Sequence, residues 1–298
     1  MNRAPAQIAL LPDGRRLHLH DGPIDLIIEA WGTAHEIRSA YAAAAERFVT
    51  ILDELCAELP QLRQAASASG PKVTGVVARR MLDAVLPYAA DTFITPMAAV
   101  AGAVAEEVLA AMTSAANLRR AYVNDGGDIA LHIEPGEEFI IGMVEHPDRV
   151  SLFGTLKLRA CDPVRGIATS GWRGRSFSLG IADAVTVLAP SAAGADAAST
   201  MIANAVDLPV HPAVTRLPAC ELAPDSDLGP RLVTQAVAPL SREDIELALA
   251  SGANTAQSLV QRGLIFAAAL HLQGKTRTVG ILPRMVAKST PARSLVHA

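Results

Sequence analysis

Val123-Asn124-Asp125-Gly126-Gly127-Asp128-Ile129-Ala130 is the stretch on which the reading of this chain turns. The apolar run Arg120-Ala121-Tyr122-Val123 leads into it, and Ile129-Ala130-Leu131-His132-Ile133 leaves it. That pattern predicts two strands joined by a tight turn. Adjacent glycines let a backbone reverse sharply or approach a ligand closely, and the flanking acids and amide set hydrogen-bonding groups at the turn. Two readings stand at this point. Asn, Asp and Gly are the ordinary residues of a plain hairpin, and the same residues suit the wall of a small-molecule site.

Outward from this turn, strands and helices are mixed without regular β-α-β alternation. Residues 7–11 and 16–20 alternate like a hairpin around Pro12-Asp13-Gly14, and 24–31 reads as a third strand. Thr33 is placed to cap a helix reaching about residue 58, ended by Pro60, with a polar connection over 61–72. Residues 73–86 read as a second helix. Thr95-Pro96 starts a third, to about 112, with Thr95 as cap and Pro96 at the first helical position. Strands follow at 120–124, 127–133, 138–144 and 153–160, then an extended or looped segment at 166–171 and a buried strand at 183–189. A helix covers 194–206, and 207–230 reads as loop. Helices at 242–249 and 253–262 and a closing hairpin at 264–282 follow, and the last dozen residues are expected to fray. This order argues for an α+β fold, with mixed and antiparallel sheets packed against helices. It is expected as a single domain over 1–298, with subdomains at about 1–90 with 207–285 and at 91–206.

Composition narrows the function classes. The chain has 298 residues, is 50% hydrophobic and only 4% aromatic, and carries a formal charge of −4; its mean hydropathy is +0.27. A large core is therefore available, built from small aliphatic side chains. With no basic tract longer than Arg79-Arg80 or Arg119-Arg120, nucleic-acid binding has little support. The apolar runs at 97–105 and 264–270 are too short to span a bilayer, and residues 1–12 lack a signal-peptide pattern. Cys56, Cys161 and Cys220 show no metal-ligand or redox spacing, which suits a reducing compartment. A soluble cytoplasmic protein is expected; Ala-rich helices are compatible with a homo-oligomer.

Three further pieces accompany the turn. Ala168-Thr169-Ser170-Gly171 precedes Trp172-Arg173-Gly174-Arg175. The helix after Val185-Thr186-Val187-Leu188-Ala189-Pro190 sets Asp196, Thr200 and Asn204 at i, i+4 and i+8, on one face. A carboxylate one turn from a hydroxyl offers hard oxygen ligands for Mg²⁺, which takes few protein ligands and keeps water or phosphate oxygens for the rest. The third piece is the helix at 96–112, lined by Ala99, Ala101, Gly102, Ala103 and Ala105.

In this order, with a Gly-x-x-x-x-Pro segment from Gly142 to Pro147, these motifs resemble the ApbE-like superfamily, the FAD:protein FMN transferases. The likeness covers about residues 92–206; the tail at 241–282 looks like a less characterised branch. The resemblance implies an ApbE-like, T-fold-related architecture. It implies Asp196 and Thr200 as Mg²⁺ ligands, with a backbone carbonyl near Val100 or Ala101 as a third. It implies that Asn124, Gly126, Gly127 and Asp128, with Thr169, Ser170 and Gly171, line the site of FAD or FMN. The family reaction cleaves the FAD pyrophosphate and passes FMN to a Thr or Ser of an acceptor protein, a Mg²⁺-assisted phosphoryl transfer.

Two departures qualify this. Typical members carry G-x-A-K-G-Y-A-x-D on the small-residue helix; here Gly102 and Glu106 have counterparts there, but the lysine has none. The segment H-x-x-D-P-x-T-G is replaced by Phe177-Ser178-Leu179-Gly180-Ile181-Ala182-Asp183. Losing a positioned acid/base removes a factor of about 10²–10⁴ in rate. Arg173 and Arg175 are the candidate replacements for the lost cation, since a guanidinium grips phosphate through two parallel bonds. The expectation is a Mg²⁺-dependent flavin-nucleotide protein, a transferase or FAD pyrophosphatase. The alternatives are a non-catalytic flavin or nucleotide binder, or an enzyme acting on another ring such as a pterin.

Other residues weigh less. His18 and His20 share a strand face without a third ligand. His146 is read as surface and His271 as a satisfied core or edge histidine. Asp183 is either a strand-end residue or a site acid, and Asn204 a supporting or exposed polar group. Trp31 suits the core; Trp172, next to the A-T-S-G segment, suits ring stacking.

Overall fold

The structure is a computed structural model. It describes residues 5–70, 72–146, 149–281 and 295–297, with side chains given except at 143–146, 149–154 and 295–297.

Its frame is one nine-stranded antiparallel sheet. The strands run, in spatial order, β1 (Gln7–Leu10), β2 (Leu17–Asp21), β3 (Ile24–Trp31), β4 (Arg120–Asp125), β5 (Asp128–Ile133), β8 (Gly166–Ser170), β9 (Ala184–Ala189), β12 (Ala267–Leu272) and β13 (Lys275–Gly280). Strand alternation explains the two faces. Leu17, Leu19, Leu26, Ile28, Ala121, Val123 and Ala130 turn to one side, where the helices lie. Tyr122, Ile129, Leu131, Ile133 and Ile167 turn to the other.

The helical layer comprises α1 (Ala34–Ala57), the short α2 (Leu59–Leu62), α3 (Val76–Val85), α4 (Val100–Ala115), α5 (Ala192–Ala205), the short α6 (Ala219–Leu222) and α7 (Arg242–Gln261). Thr33 caps α1 as expected, in a capping box with Glu36. Behind the other sheet face lies a second, small sheet of β6 (Glu138–His146), β7 (Arg149–Arg159) and β14 (Leu295–His297). Phe139, Ile141, Leu156 and Leu158 from β6 and β7 close a second core there. The α+β expectation holds, in three layers: helices, large sheet, small sheet.

Several local expectations differ. The two helices at 242–249 and 253–262 are one, α7, running through Gly252. A Cβ at Gly252 would stand 2.3 Å from Val206 Cγ2 and 2.8 Å from Leu270 Cδ2, so the glycine is a close-packing residue and not a helix end. The loop at 207–230 contains β10 (Val214–Pro218), paired with β11 (Leu232–Val237). Helix α3 starts at Val76, three residues later than expected. Thr95 does not cap by its side chain; its hydroxyl donates to Asp227 instead, and a 3-10 turn over Pro96–Ala99 precedes α4. Of the last dozen residues, expected to fray, 295–297 pair in parallel with β6; the others lie outside the described residues, as does Pro147 of the Gly-x-x-x-x-Pro segment.

Among the described residues, Pro96–Ala115 is the one stretch long and apolar enough to cross a membrane by length and composition. Here it packs against α1, α3 and α5 and under β4 and β5. That burial accounts for its apolar character.

Candidate functional site

The hairpin reading of the opening stretch is correct as structure, and it is what builds the site. Gly126 and Gly127 alone join β4 to β5, at φ +63° and +119°, a region L side chains avoid. Asn124 Oδ1 accepts the Gly127 N–H at 2.8 Å and steadies the turn. This two-residue connection sets Asp125 directly opposite Asp128. Since side chains two apart share a face, Asp125 follows Ala121 and Val123, and Asp128 precedes Ala130, on the helix side.

Beneath them cross α4 and α5. Gly102 permits the crossing: a Cβ there would stand 2.3 Å from the Ala192 carbonyl oxygen. Asp196, buried on α5, accepts the Gly102 N–H at 3.1 Å and also the Ala101 N–H, at the start of α4. In return, Glu106 of α4 accepts the Ala193 N–H at 2.8 Å, at the start of α5. Thr200 lies one turn beyond Asp196, half-buried. Asn204, a turn further, holds the 178–180 loop instead of facing solvent, accepting the Leu179 N–H at 2.9 Å and the Ser178 hydroxyl at 3.3 Å.

The charge of Asp196 acts on both Asp125 and Asp128, and that of Asp125 on Asp128. Burial pushes the Asp125 carboxyl up to about 8; the Asp25 N–H works against this, while Asp196 adds to it. Asp128 is held well above the usual carboxylate range by burial, then by Asp196 and Asp125, although it accepts the Thr169 N–H at 3.3 Å. Burial likewise raises Asp196, opposed by the two α4 N–H groups. Buried carboxylates in mutual repulsion must be protonated or meet a cation. Among the described residues no three His, Cys, Asp or Glu side chains close on a point tightly enough to cage a metal. A cation here would rest on few protein oxygens and keep water or phosphate, the habit of Mg²⁺. The side chains that could hold such a cation are those of Asp196 and Thr200, one helical turn apart on α5, with Asp125 and Asp128 adding negative charge nearby.

The A-T-S-G segment forms β8 and the start of a loop beside this cluster. Thr169 presents its backbone to Asp128 and its hydroxyl to Thr186, at 2.9 Å. Ser170 is half-buried opposite Val185. At Gly171 a Cβ would stand 2.5 Å from the Asp183 carbonyl oxygen. Asp183, open between two roles in the sequence, is the buried anchor of the next loop. Its carboxylate accepts from Trp172 Nε1 at 3.2 Å, Arg173 Nε at 2.7 Å and the Gln273 N–H at 2.6 Å. The Arg173 guanidinium lies 4.5 Å over the Trp172 ring. Arg173 is thus engaged with Asp183, and Arg175 is the arginine nearest the glycine turn, with Nη1 3.9 Å from where a Cβ on Gly126 would stand.

Sequence reasoning missed Asp125, the residue between Asn124 and Gly126. Counting on by two from Ala121 and Val123 places it on the helix side, and that count was the available signal. The remaining candidates fall elsewhere. His18 is paired with Asp25 at 2.6 Å, and His271 is buried beside Thr276. Trp31 packs tilted against Tyr122 and edge-on to Phe139, with the Arg120 guanidinium 4.3 Å over its ring. His146 has no described side chain. Two clefts, of about 330 and 470 Å³, are lined by Tyr88, Asn254 and Arg262 with neighbours and by residues 135–138 and 159–161; neither touches the acidic cluster.

A family model described as "AbpE bacteria" matches residues 8–278. The chain belongs to this family. The AbpE match covers strands β2 to β12 and every helix, so it extends well beyond the 92–206 region that carried the ApbE-like resemblance, and bears that resemblance out. Among curated relatives, the UPF0280 protein MJ1526 of Methanocaldococcus jannaschii is 38% identical over 115 residues, 38% of this chain and 45% of that one. The chain thus spans about half the length of the curated relatives it matches. Solved structures similar to this AbpE chain include an apbe protein from Thermotoga maritima, at 12% identity and TM-score 0.47 over 91% of this chain and 96% of that one. The flavin transferase ApbE from Vibrio cholerae is also similar, at 12% identity and TM-score 0.39 over 94% and 98%.

Proposed function

We propose that this protein is a Mg²⁺-dependent enzyme acting on a flavin nucleotide, FAD, either transferring FMN to an acceptor protein or hydrolysing the FAD pyrophosphate. The observation that carries this reading is that Asp125 and Asp128, opposite each other across a glycine hairpin, lie near enough to Asp196, on a helix 68 or more residues away in sequence, for its charge to act on both. Packing alone gives no reason to gather three acids, two of them buried; a divalent cation beside a pyrophosphate does. Membership of the AbpE family supports the ligand class.

Mg²⁺ bound here would neutralise charge developing on the phosphates. Asp196 and Thr200 would hold it, with Asp196 oriented by the N–H groups that open α4. Gly126 and Gly127 let the ligand's phosphates approach the backbone without a Cβ in the way. Asp125, its carboxyl pushed up to about 8, can hold or accept a proton near neutral pH, where the histidine of the resembling enzymes is missing. Three free cysteines accord with a cytoplasmic setting.

A second reading, a flavin-binding accessory protein without turnover, is favoured by the binding of Arg173 to Asp183, which withdraws one of the two replacement cations. Incubation with FAD and Mg²⁺ separates the two. The enzyme reading expects FMN release or a flavin–protein adduct, lost in Asp196→Asn. Tight FAD binding with neither product supports the accessory reading, and calorimetry showing no affinity for FAD removes both.

A further inference from the structure

The loop after β8 carries two arginines with different circumstances. Its base is clamped. Trp172 N–H donates to the Ala182 carbonyl at 3.0 Å and Gly174 N–H to the Gly171 carbonyl at 3.1 Å, while Asp183 grips Trp172 and Arg173. Arg175, two residues on, is exposed. Among the described residues it has neither a hydrogen bond nor an ion pair. It is nonetheless placed: its Nη1 stands over the bare backbone of Gly126, and it is the cation whose charge reaches Asp125.

A phosphate entering beside Asp125, Asp128 and Asp196 meets three carboxylates. Even with one divalent cation present, an anionic ligand there needs a further positive group on its outer side. A guanidinium fork matches phosphate oxygens with two parallel bonds, and at Gly126 no Cβ stands between the backbone and Arg175. Arg173 is poorly placed for this, since Asp183 and the Trp172 ring occupy its Nε and one face.

We propose that Arg175 is the phosphate clamp of this site, taking a phosphate of the ligand above Gly126 and Gly127, while Arg173 is a positioning residue that fixes the loop through Asp183. This rests on the reading of the site as one for a phosphate-bearing ring cofactor, and it sharpens that reading: affinity comes from the phosphates as much as from the ring.

Calorimetry with FAD, riboflavin and inorganic pyrophosphate, each with Mg²⁺, on wild type, Arg175→Gln and Arg173→Gln tests it. Arg175→Gln weakens FAD and pyrophosphate roughly 10–100-fold, as loss of a charge-assisted contact does. It leaves riboflavin and the melting temperature unchanged, and it flattens the salt dependence of FAD binding. Arg173→Gln lowers the melting temperature and weakens all ring ligands together. If wild type binds pyrophosphate but neither flavin, the flavin assignment fails while the clamp stands or falls on Arg175→Gln alone. The clamp is overturned if Arg175→Gln binds FAD and pyrophosphate as tightly as wild type, or if wild type binds neither.

Discussion

Asp196 and Glu106 exchange helix caps. Asp196 of α5 accepts the Gly102 N–H that opens α4, and Glu106 of α4 accepts the Ala193 N–H that opens α5. The first N–H groups of a helix have no partner within it and carry the positive end of its dipole. Each carboxylate therefore satisfies the other helix's start, and Asp196 is oriented by backbone rather than by a mobile side chain. Glu106 is tied in turn to Arg80 at 3.2 Å, and Arg80 and Arg47 both reach Glu107. The crossing is thereby fastened to α1 and α3.

Glu106 should matter to stability even though it lies outside the ligand site. Glu106→Ala removes a charged acceptor from a half-buried N–H and is expected to cost about 1–3 kcal/mol. Glu106→Gln, which keeps an acceptor, should recover much of this. Urea unfolding of the two variants is the check, and equal stability of both with wild type would refute the exchanged-cap account.

Gly102 is where α4 and α5 touch. A methyl group there meets the Ala192 carbonyl at 2.3 Å, and neither backbone can yield without moving Asp196. Gly102→Ala is expected to cost about 1–3 kcal/mol through overpacking and to abolish Mg²⁺-dependent stabilisation, a ligand effect of about 2.7 kcal/mol at 100 times its dissociation constant. Thermal melts with and without Mg²⁺ and FAD measure both; an unchanged response to ligand would show that the crossing does not set the site.

The acidic cluster should make the metal-free protein less stable as pH rises. Asp125 has its carboxyl at about 8 in the fold against an ordinary 3.8. The folded chain keeps a proton that the unfolded chain has released across that window. Its contribution is full below about 4 and is lost as pH rises through about 8. Asp128 and Asp196, also raised, act in the same direction. Melts in chelator across this range should show the decline, flattened in Asp125→Asn, and added Mg²⁺ should stabilise more at the alkaline end, where the carboxylates are free to bind it. Identical slopes in wild type and Asp125→Asn would count against the cluster.

Asp183 ties β9, the loop after β8 and the β12–β13 turn, where Gln273 sits at φ +43°. Asp183→Ala is expected to lose about 1–3 kcal/mol with its hydrogen bonds to charged and neutral donors. It should also free the loop, seen as a red shift of Trp172 emission and faster proteolysis at Arg173 and Arg175. A variant as resistant as wild type would mean that the loop is held by other contacts.

Much of this was legible along the chain because it depends on neighbours in sequence. The glycine pair dictated the hairpin, Thr33 marked a helix start, and the i, i+4 spacing put Asp196 and Thr200 on one face. The errors share a cause. The chain between 249 and 253 reads as a gap between two helices and Thr95 as a side-chain cap because propensity is local, while Val206, Leu270 and Asp227, the residues that decide those positions, are distant in sequence.

The sequence by itself determined an α+β fold, the tight turn between Asn124 and Asp128, and the motif order that marks the family. Only the tertiary structure decided that Asp125 joins Asp128 and Asp196, that Arg173 is held by Asp183 while Arg175 stands over Gly126, and that α4 and α5 cap one another. Turn and periodicity are set by the backbone of a few consecutive residues. Burial, charge coupling and the partner of a guanidinium are set by which segments pack together, and that is fixed only when the sheet closes and the two helices cross beneath it.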